Sequence, residues 1–238
     1  MKREITDIIV LHTTKFGDNS LIVHAVSPLY GRCGMIVKGF GKKGGRNPVS
    51  LFQPLNILEA VVDENPKSSL LSLREVSMKH PYVSIRRDVL KNCISVFVCE
   101  LLFRTLSEGS REDGLFEWVE EMALALDAMD GNFSNFHIYF IIGLCRILGF
   151  SPNDNFSESN PIFYIATAEF SGGGQSFSLE NSLLLHRLLS GGFPECMALP
   201  LTGKSRYLFM EDMIRFLEYH IDKPVEIKSL KVLHELLC

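Results

Sequence analysis

Residues 20–38 carry the sequence SLIVHAVSPLYGRCGMIVK, in which two runs of β-branched and other apolar residues flank Pro28-Leu29-Tyr30-Gly31. β-branched residues are enriched in strands, and proline and glycine are typical turn residues. The stretch therefore predicts two neighbouring strands, residues 20–27 and 32–38, joined by a short turn.

Three further strands are predicted around this pair. One precedes it across the turn signal Gly17-Asp18-Asn19, and two follow it. Their ranges are Ile5–Phe16, Phe52–Val62 and Ser69–Val76. Five short strands without an intervening helix predict a small barrel, and five is the strand number of the OB-fold. An SH3-like barrel stays open as an alternative, because strand number alone does not separate the two.

From Pro81 onward the apolar residues recur at helical spacing. Asn135–Leu148 is apolar on nearly every side and predicts a central buried helix. Further helices are predicted for a stripe beginning at Val89 and for Asp113–Met129, Leu179–Leu189, Tyr207–Ile221 and Ser229–Leu237, with Pro194 and Pro200 breaking the chain between helices. Residues 151–177 predict an irregular insertion with a short β element at Phe163–Ala166. The fold class is therefore α+β and multi-domain: an OB-fold β-barrel (1–80) followed by a mainly α-helical domain (81–238).

Residues 30–48, YGRCGMIVKGFGKKGGRNP, form a basic, glycine-rich segment that leads out of the third predicted strand. The segment has five cations and no acidic residue, although the formal net charge of the chain is −4. Residues 1–80 carry 11 Lys and Arg against 7 Asp and Glu, so the acidic excess lies in the remainder. Cations that no local carboxylate neutralises suit nucleic acid. The predicted DNA-binding residues are Arg32, Lys38, Phe40, Lys42, Lys43 and Arg46.

Aromatic side chains between cations can stack on the bases of single-stranded nucleic acid. Phe40 is the best candidate, because glycines flank it and lysines follow. For both Phe40 and Tyr30 the stacking and core interpretations are balanced, because an aromatic at a loop tip is less easily buried. Phe16 and Phe52 are expected in the barrel core.

No motif specifies an enzyme, so a non-enzymatic protein is expected. Residues 39–44 match G-x-G-x-x-G, but no helix follows to hold a pyrophosphate. Thr202-Gly203-Lys204-Ser205 resembles the end of a phosphate-binding P-loop, but Ala198 stands where that loop needs a glycine. His12 and His24 could face each other on adjacent strands, yet a structural zinc site needs four ligands. No metal is therefore predicted.

The cysteines lack C-x-x-C spacing and the start MKREITD is unlike a secretory signal. A reducing cytoplasm, and for a DNA-binding protein the nucleoid, is the expected location.

Several short segments, in order, resemble the RecO family of bacterial recombination mediators and DNA-repair proteins. The opening strand, the turn at Phe16-Gly17-Asp18 and the second strand resemble its N-terminal part. The other similar segments are Val37–Lys43, Leu51–Leu55, Leu148-Gly149-Phe150 and Ile227–Lys231.

The resemblance implies an N-terminal OB-fold, a helical domain, binding of single- and double-stranded DNA, and strand annealing. It also implies partnership with RecR and with single-strand DNA-binding protein in loading a recombinase. Some members bind zinc through four cysteines after the central helix. This chain has no cysteine between Ser151 and Gln175, so we predict no zinc cofactor, with apolar contacts of Phe150, Phe163 and Phe170 preserving the element.

A weaker hypothesis concerns the helical domain, whose scattered cations could capture the acidic, apolar tail of single-strand DNA-binding protein. These cations are Arg146, Arg187, Lys204, Arg206 and Arg215. Two alternatives stay open. One is an OB-fold module that binds RNA or a protein partner without annealing DNA. The other is a nucleotide-using enzyme, which would bind ATP at residues 203–205.

Overall fold

The computed structural model describes residues 2–39, 48–64, 68 and 70–237. They form two compact units, residues 1–128 and 129–238. In its described residues, the first unit contains five strands and two α-helices. Strands give way to helices where the sequence predicts, but the division into compact units falls later in the chain. A domain boundary at residues 80/81 therefore stays a prediction.

The first unit is built on a closed five-stranded barrel with the strand order β1-β2-β3-β5-β4. The strands are β1 (Lys2–Lys15), β2 (Ser20–Ser27), β3 (Gly31–Lys38), β4 (Ile57–Glu64) and β5 (Leu71–Met78). All pairs are antiparallel except β3 with β5, which run parallel. This is the OB-fold arrangement, so the predicted fold class is confirmed.

The barrel core is filled by alternate residues of each strand, as the two-residue period of a strand requires. Leu21, Val23, Met35, Val37 and Leu58 are at most 5% exposed. The residues between them point outward and form the outer surface of the barrel.

β4 begins at Ile57 and not at Phe52, so the predicted start of this strand is wrong. Residues Val49–Phe52 form a 3-10 turn. The cause is Asn56, whose side-chain amide donates to the carbonyls of Ser50 and Leu51 at 3.1 and 2.9 Å and folds the chain back. Phe52 is nevertheless buried, as predicted.

Two helices complete the first unit, α1 (Val89–Thr105) and α2 (Leu115–Ala128). The Asp88 side chain caps α1 by accepting from two backbone N–H groups of its first turn. Near the end of α2, the Asp127 carboxylate accepts from the backbone N–H groups of residues 83, 84 and 85 at 2.8–2.9 Å. This contact ties the chain between barrel and α1 to α2.

The turn after α1 returns to the barrel and docks on β3. The Gly109 N–H donates to the Arg32 carbonyl at 2.7 Å, and the Arg32 N–H donates to the Ser110 carbonyl at 3.0 Å. α1 and β3 are thereby held together by backbone hydrogen bonds.

The second unit is helical, with an irregular segment between its first two helices. The helices are α3 (Phe136–Ile147), α4 (Leu179–Ser190), α5 (Phe193–Ala198), α6 (Gly203–Ile221) and α7 (Lys228–Leu237). α5 is not predicted from the sequence, where Pro194 indicates a break. Pro194 lies in the first turn of α5, where the missing N–H of proline costs nothing.

The irregular segment packs through aromatic rings. Phe163 and Phe170 are fully buried, with ring centroids 5.3 Å apart, and Phe163 lies 5.7 Å from Phe216 of α6. The Phe150 ring stacks on His220 at 5.2 Å. Within the predicted short β element at 163–166, Tyr164 forms isolated β-bridges to Glu169 and Ser176.

Candidate nucleic-acid interface

The outward side chains of β1, β2 and β3 form one continuous surface, here called the barrel face. Its members are His12, Thr14, Ser20, Ile22, His24, Arg32, Ile36 and Lys38. Register places Thr14, Ile22 and Ile36 in one row across the three strands. Ile22 and Ile36 are half-buried, so the barrel face offers an apolar strip between cations.

Lys38 lies at one end of the barrel face. It is exposed and pairs in register with Ser20, the residue that follows the β1–β2 turn. Lys15, at the other side of β2, is also exposed and pairs with Leu21. Two lysines therefore flank the end of β2.

Phe16 lies at the tip of the β1–β2 turn and is 52% exposed, so its predicted place in the core is wrong. The physical reason is that β1 ends at Lys15, and the Phe16 N–H already closes the turn by donating to the Ser20 carbonyl at 2.9 Å. Lys15 and Phe16 are candidate interface residues that the sequence patterns did not indicate. A lysine and an aromatic directly before Gly17-Asp18-Asn19 were the available signal.

Four of the six predicted DNA-binding residues, Phe40, Lys42, Lys43 and Arg46, lie outside the described residues. They lie between Gly39 and Pro48 in the chain, shortly after Lys38. Their role stays a prediction.

Arg32 lies toward the other end of the barrel face. Its guanidinium covers the ring of Phe103 from α1, with the central carbon 4.6 Å from the ring centroid. The Arg32 Nε atom is buried and has no hydrogen-bond partner among the described residues. A cation–π contact, which leaves the guanidinium charge unneutralised, therefore holds this side chain.

Two histidines complete this end of the surface. His12 and His24 are opposite each other in register, with ring centroids 6.0 Å apart. Both contact Phe103, at 5.3 and 5.1 Å. Burial, and then the positive charges of His12 and Arg32, lower the pKa of His24 from its ordinary 6.5, while Glu108 opposes the shift.

Tyr30 is half-buried and packs against the barrel core. Burial, more than nearby carboxylates, raises its pKa to about 12, so the phenol is neutral at physiological pH. For Phe40 and Tyr30 the sequence leaves the stacking and core interpretations balanced. Of these two, Tyr30 packs against the barrel core.

Most other cations of the first unit have structural partners. Arg3 and Arg74 both bind the Asp63 carboxylate, at 2.8 and 2.7 Å. Lys79 bridges Asp7 and Glu120, each at 2.7 Å. Within the described part of the chain, by contrast, no carboxylate forms an ion pair with Lys15, Arg32 or Lys38. Among the described cations of the five strands, Lys2, Arg3 and Arg74 thus form ion pairs with carboxylates, whereas the other three lie on or beside the barrel face.

The five cations proposed to capture a peptide tail lie apart in the second unit. Arg146, Arg187 and Lys204 are exposed on α3, α4 and α6. Arg206 donates to the Asn135 side chain at 2.9 Å and to the Leu237 carbonyl at 3.4 Å, so its guanidinium has a structural role.

Arg215 lines a groove of about 660 Å³ whose apolar wall includes Leu208, Ile214 and Leu230. The same groove contains Glu211 and Asp212, and Asp212 pairs with Arg215. Arg187 lines a separate, smaller cavity. The structure therefore does not bring the five cations together in one described cavity.

Thr202-Gly203-Lys204-Ser205 forms the start of α6. The Thr202 hydroxyl accepts from the Ser205 N–H at 3.1 Å, which is an ordinary N-terminal cap. No group of three potential metal ligands is present in the described ranges. Nor does any helix of those ranges combine the length and apolar character needed to cross a membrane.

Two family models match the chain. The model described as recombination protein O N terminal covers residues 1–82, and the one described as recombination protein O C terminal covers residues 86–231.

The chain is also similar to proteins named DNA repair protein RecO. The protein of Phocaeicola vulgatus is 30% identical over 233 residues, covering 96% of each chain. That of Flavobacterium psychrophilum is 29% identical over 233 residues, covering 97% of each chain. The Bacteroides fragilis protein is 34% identical over 162 residues, covering 68% of this chain and 67% of its own.

Proposed function

The chain belongs to the RecO family, and on that premise we propose that it is a non-enzymatic mediator of DNA repair and recombination. In this proposal it binds single- and double-stranded DNA in the cytoplasm, in association with the nucleoid, and promotes annealing of complementary strands. With RecR it helps to load a recombinase onto DNA coated by single-strand DNA-binding protein. It uses no zinc or other cofactor.

The observation that supports DNA binding best is the charge of the barrel face. Lys38, Arg32 and the neighbouring Lys15 have no carboxylate partner among the described residues, whereas Arg3, Arg74 and Lys79 on the same unit do. The faces of OB-folds are common sites for oligonucleotides. Phosphate contacts of this kind position a nucleic acid and carry little sequence information, which suits a repair factor.

Phe16 adds a stacking surface to these cations. Its ring is exposed beside Lys15, and Lys38 follows across β2. Base stacking on an aromatic ring tolerates any base and requires an unpaired strand. A surface that holds the backbone and leaves base edges accessible is compatible with annealing.

Two solution measurements test the proposal. A labelled single strand and a labelled duplex are titrated with the protein, and annealing of two complementary strands is followed with and without it. Binding of both forms and faster annealing support the mediator function. Absence of binding at low salt would contradict it.

Competition between single-stranded DNA and RNA of equal length separates the main alternative. An OB-fold module for RNA prefers the RNA competitor and does not accelerate annealing. A module for a protein partner binds neither nucleic acid. Titration with ATP tests the enzyme alternative, for which the proposed function predicts no binding.

The groove beside Arg215 supports a second, partner-binding function. An acidic peptide with apolar side chains would place its apolar groups against Leu208 and Leu230 and displace Asp212 from Arg215. Titration with the C-terminal peptide of single-strand DNA-binding protein tests this idea, with Arg215→Ala and the matched variant Arg146→Ala. Loss of binding in Arg215→Ala alone supports it, and equal binding by both variants contradicts it.

A further inference from the structure

The end of the barrel face opposite Lys38 gathers more titratable groups than the proposed function uses. His12 comes from β1, His24 from β2 and Arg32 from β3, and Phe103 of α1 contacts all three. Arg104 of α1 lies 6.0 Å from the same ring. The turn after α1 contributes Glu108. The Glu108 carboxylate acts on His24, whose pKa it raises against the larger effect of burial.

Phe103 fixes the cluster without using its hydrogen-bonding groups. These are ring–ring and cation–π contacts, and the side chains of His12, His24 and Arg32 form no hydrogen bond with another described residue. His12 is exposed and His24 half-buried. The imidazole nitrogens and the guanidinium are consequently held in place while they keep their capacity to donate.

Gly34 allows two other side chains to approach this cluster closely. It is the β3 partner of His24 in register, and it has no side chain to cover the histidine. The space is occupied from above by Leu70 and Glu108: a Cβ on Gly34 would lie 2.8 Å from a methyl carbon of Leu70 and 3.6 Å from Glu108 Oε1. An anionic oxygen of this protein therefore already lies beside Gly34, the β3 residue that pairs with His24.

We infer that His12, His24 and Arg32 form a second phosphate contact of the barrel face, and that this contact takes up protons from solvent when DNA binds. The inference rests on the proposed DNA binding. A phosphodiester oxygen takes the position near the cluster that Glu108 now occupies, and it accepts hydrogen bonds from the imidazolium N–H groups and the guanidinium. Charge-assisted hydrogen bonds of this type are stronger than those of neutral imidazole.

The sign of the pH dependence follows from linkage. In the free protein, burial and neighbouring positive charge lower the pKa of His24, so the ring is neutral at physiological pH. Bound phosphate raises the pKa of the same ring. The added affinity is fully present below the pKa of the free protein and is lost as pH rises through the pKa of the complex. Between these limits, affinity changes by up to about tenfold per pH unit for each proton taken up.

The test measures binding of an oligodeoxythymidylate from pH 5.5 to 8.0 at constant ionic strength. Calorimetry in two buffers of different ionisation enthalpy counts the protons taken up. The variants are His12→Gln/His24→Gln and, as a matched control, His80→Gln, because His80 lies in the same unit but pairs with Glu120 outside the cluster. Thermal melting verifies that each variant folds.

We expect the wild-type affinity to rise as pH falls, the double variant to lose most of this slope and its proton uptake, and His80→Gln to keep both. A second variant, Glu108→Gln, leaves the histidines in place and binds DNA more tightly than wild type at pH 8, because phosphate no longer meets a carboxylate there.

Two results overturn the inference. One is a double variant that still binds DNA and whose affinity changes with pH as steeply as that of the wild type. This result leaves the proposed DNA binding intact. The other is an unchanged affinity in Glu108→Gln. A chain that binds no DNA at any pH contradicts the proposed function itself, so the two failures are distinguishable.

Discussion

Gly31 and Ser110 approach so closely that a Cβ atom on Gly31 would lie 1.9 Å from the Ser110 carbonyl oxygen. Gly31 begins β3, and Ser110 ends the turn that follows α1. The contact explains how the helix is held on the barrel at the strand that carries Arg32.

We predict that Gly31→Ala destabilises the protein, because the change combines this clash with a backbone φ of +61°. The expected cost exceeds about 2 kcal/mol, since left-handed backbone alone costs about 1–2 kcal/mol for a residue with a side chain. Urea denaturation measures it. Gly17→Ala is the matched control, because its φ is +64° and nothing lies within 4 Å. Equal effects of the two substitutions would contradict the close approach.

Phe16→Ala is predicted to weaken binding of single-stranded DNA by about 1–3 kcal/mol through loss of stacking. Because Phe16 is 52% exposed, the melting temperature should change little. Phe52→Ala serves as the contrast: this ring is 4% exposed, so its removal should cost about 3–5 kcal/mol of stability. DNA binding like wild type in Phe16→Ala would show that the ring does not stack on bases. A loss of stability as large as in Phe52→Ala would show that the Phe16 ring is part of the core.

These two phenylalanines show how far the sequence determines the fold. Alternation along 20–38 predicts the strands, because each side chain's face is fixed locally by the pleat. Whether an aromatic at a strand end enters the core depends on where the turn closes. The hydrogen bond between the Phe16 N–H and the Ser20 carbonyl closes the turn and keeps Phe16 out of the core. In the same way, the hydrogen bonds of the Asn56 amide fold residues 49–52 into a turn, so that β4 begins only at Ile57.

The candidate site could be predicted only in part for a related reason. Lys38 is the last residue of a strand, and its exposure can be expected from that position alone. The contact of Arg32 and His24 with Phe103 joins residues far apart in the chain, so no local pattern announces it. α5 cannot be recognised from its proline, because Pro194 would break the interior of a helix but is compatible with a first turn.

His137 predicts acid sensitivity of the second unit. It is 2% exposed, and burial, assisted by Arg206, lowers its pKa to about 3. The unfolded chain takes up a proton near pH 6.5 but the folded protein does not. Stability is therefore complete above that pH and falls by up to about 1.4 kcal/mol per pH unit between pH 6.5 and about 3.

Urea denaturation between pH 7.5 and 5.0 measures this slope in wild type and in His137→Leu. The variant should lose the part of the slope that belongs to this one group. An equal loss of stability in both proteins as pH falls would contradict the prediction, because it would mean that folded His137 takes up its proton as readily as the unfolded chain does.

Metal removal is predicted to leave the protein unchanged. The irregular segment packs through Phe163 and Phe170, both fully buried, and it has no cysteine between residues 151 and 175. Incubation with a zinc chelator should therefore not alter the melting temperature, and purified protein should contain far less than one zinc per chain. Stoichiometric zinc together with a lower melting temperature after chelation would contradict the prediction.

The salt dependence of single-stranded DNA affinity tests most directly whether the cations of the barrel face and the basic segment hold the DNA backbone. Engagement of about four phosphates gives a slope of log affinity against log salt near about −3. Lys42→Ala/Lys43→Ala/Arg46→Ala should weaken binding and reduce the slope by about 2, while the equally charge-reducing Arg146→Ala/Arg187→Ala/Lys204→Ala should leave it unchanged. A wild-type affinity indifferent to salt, or the same slope in the first variant as in wild type, would contradict the account.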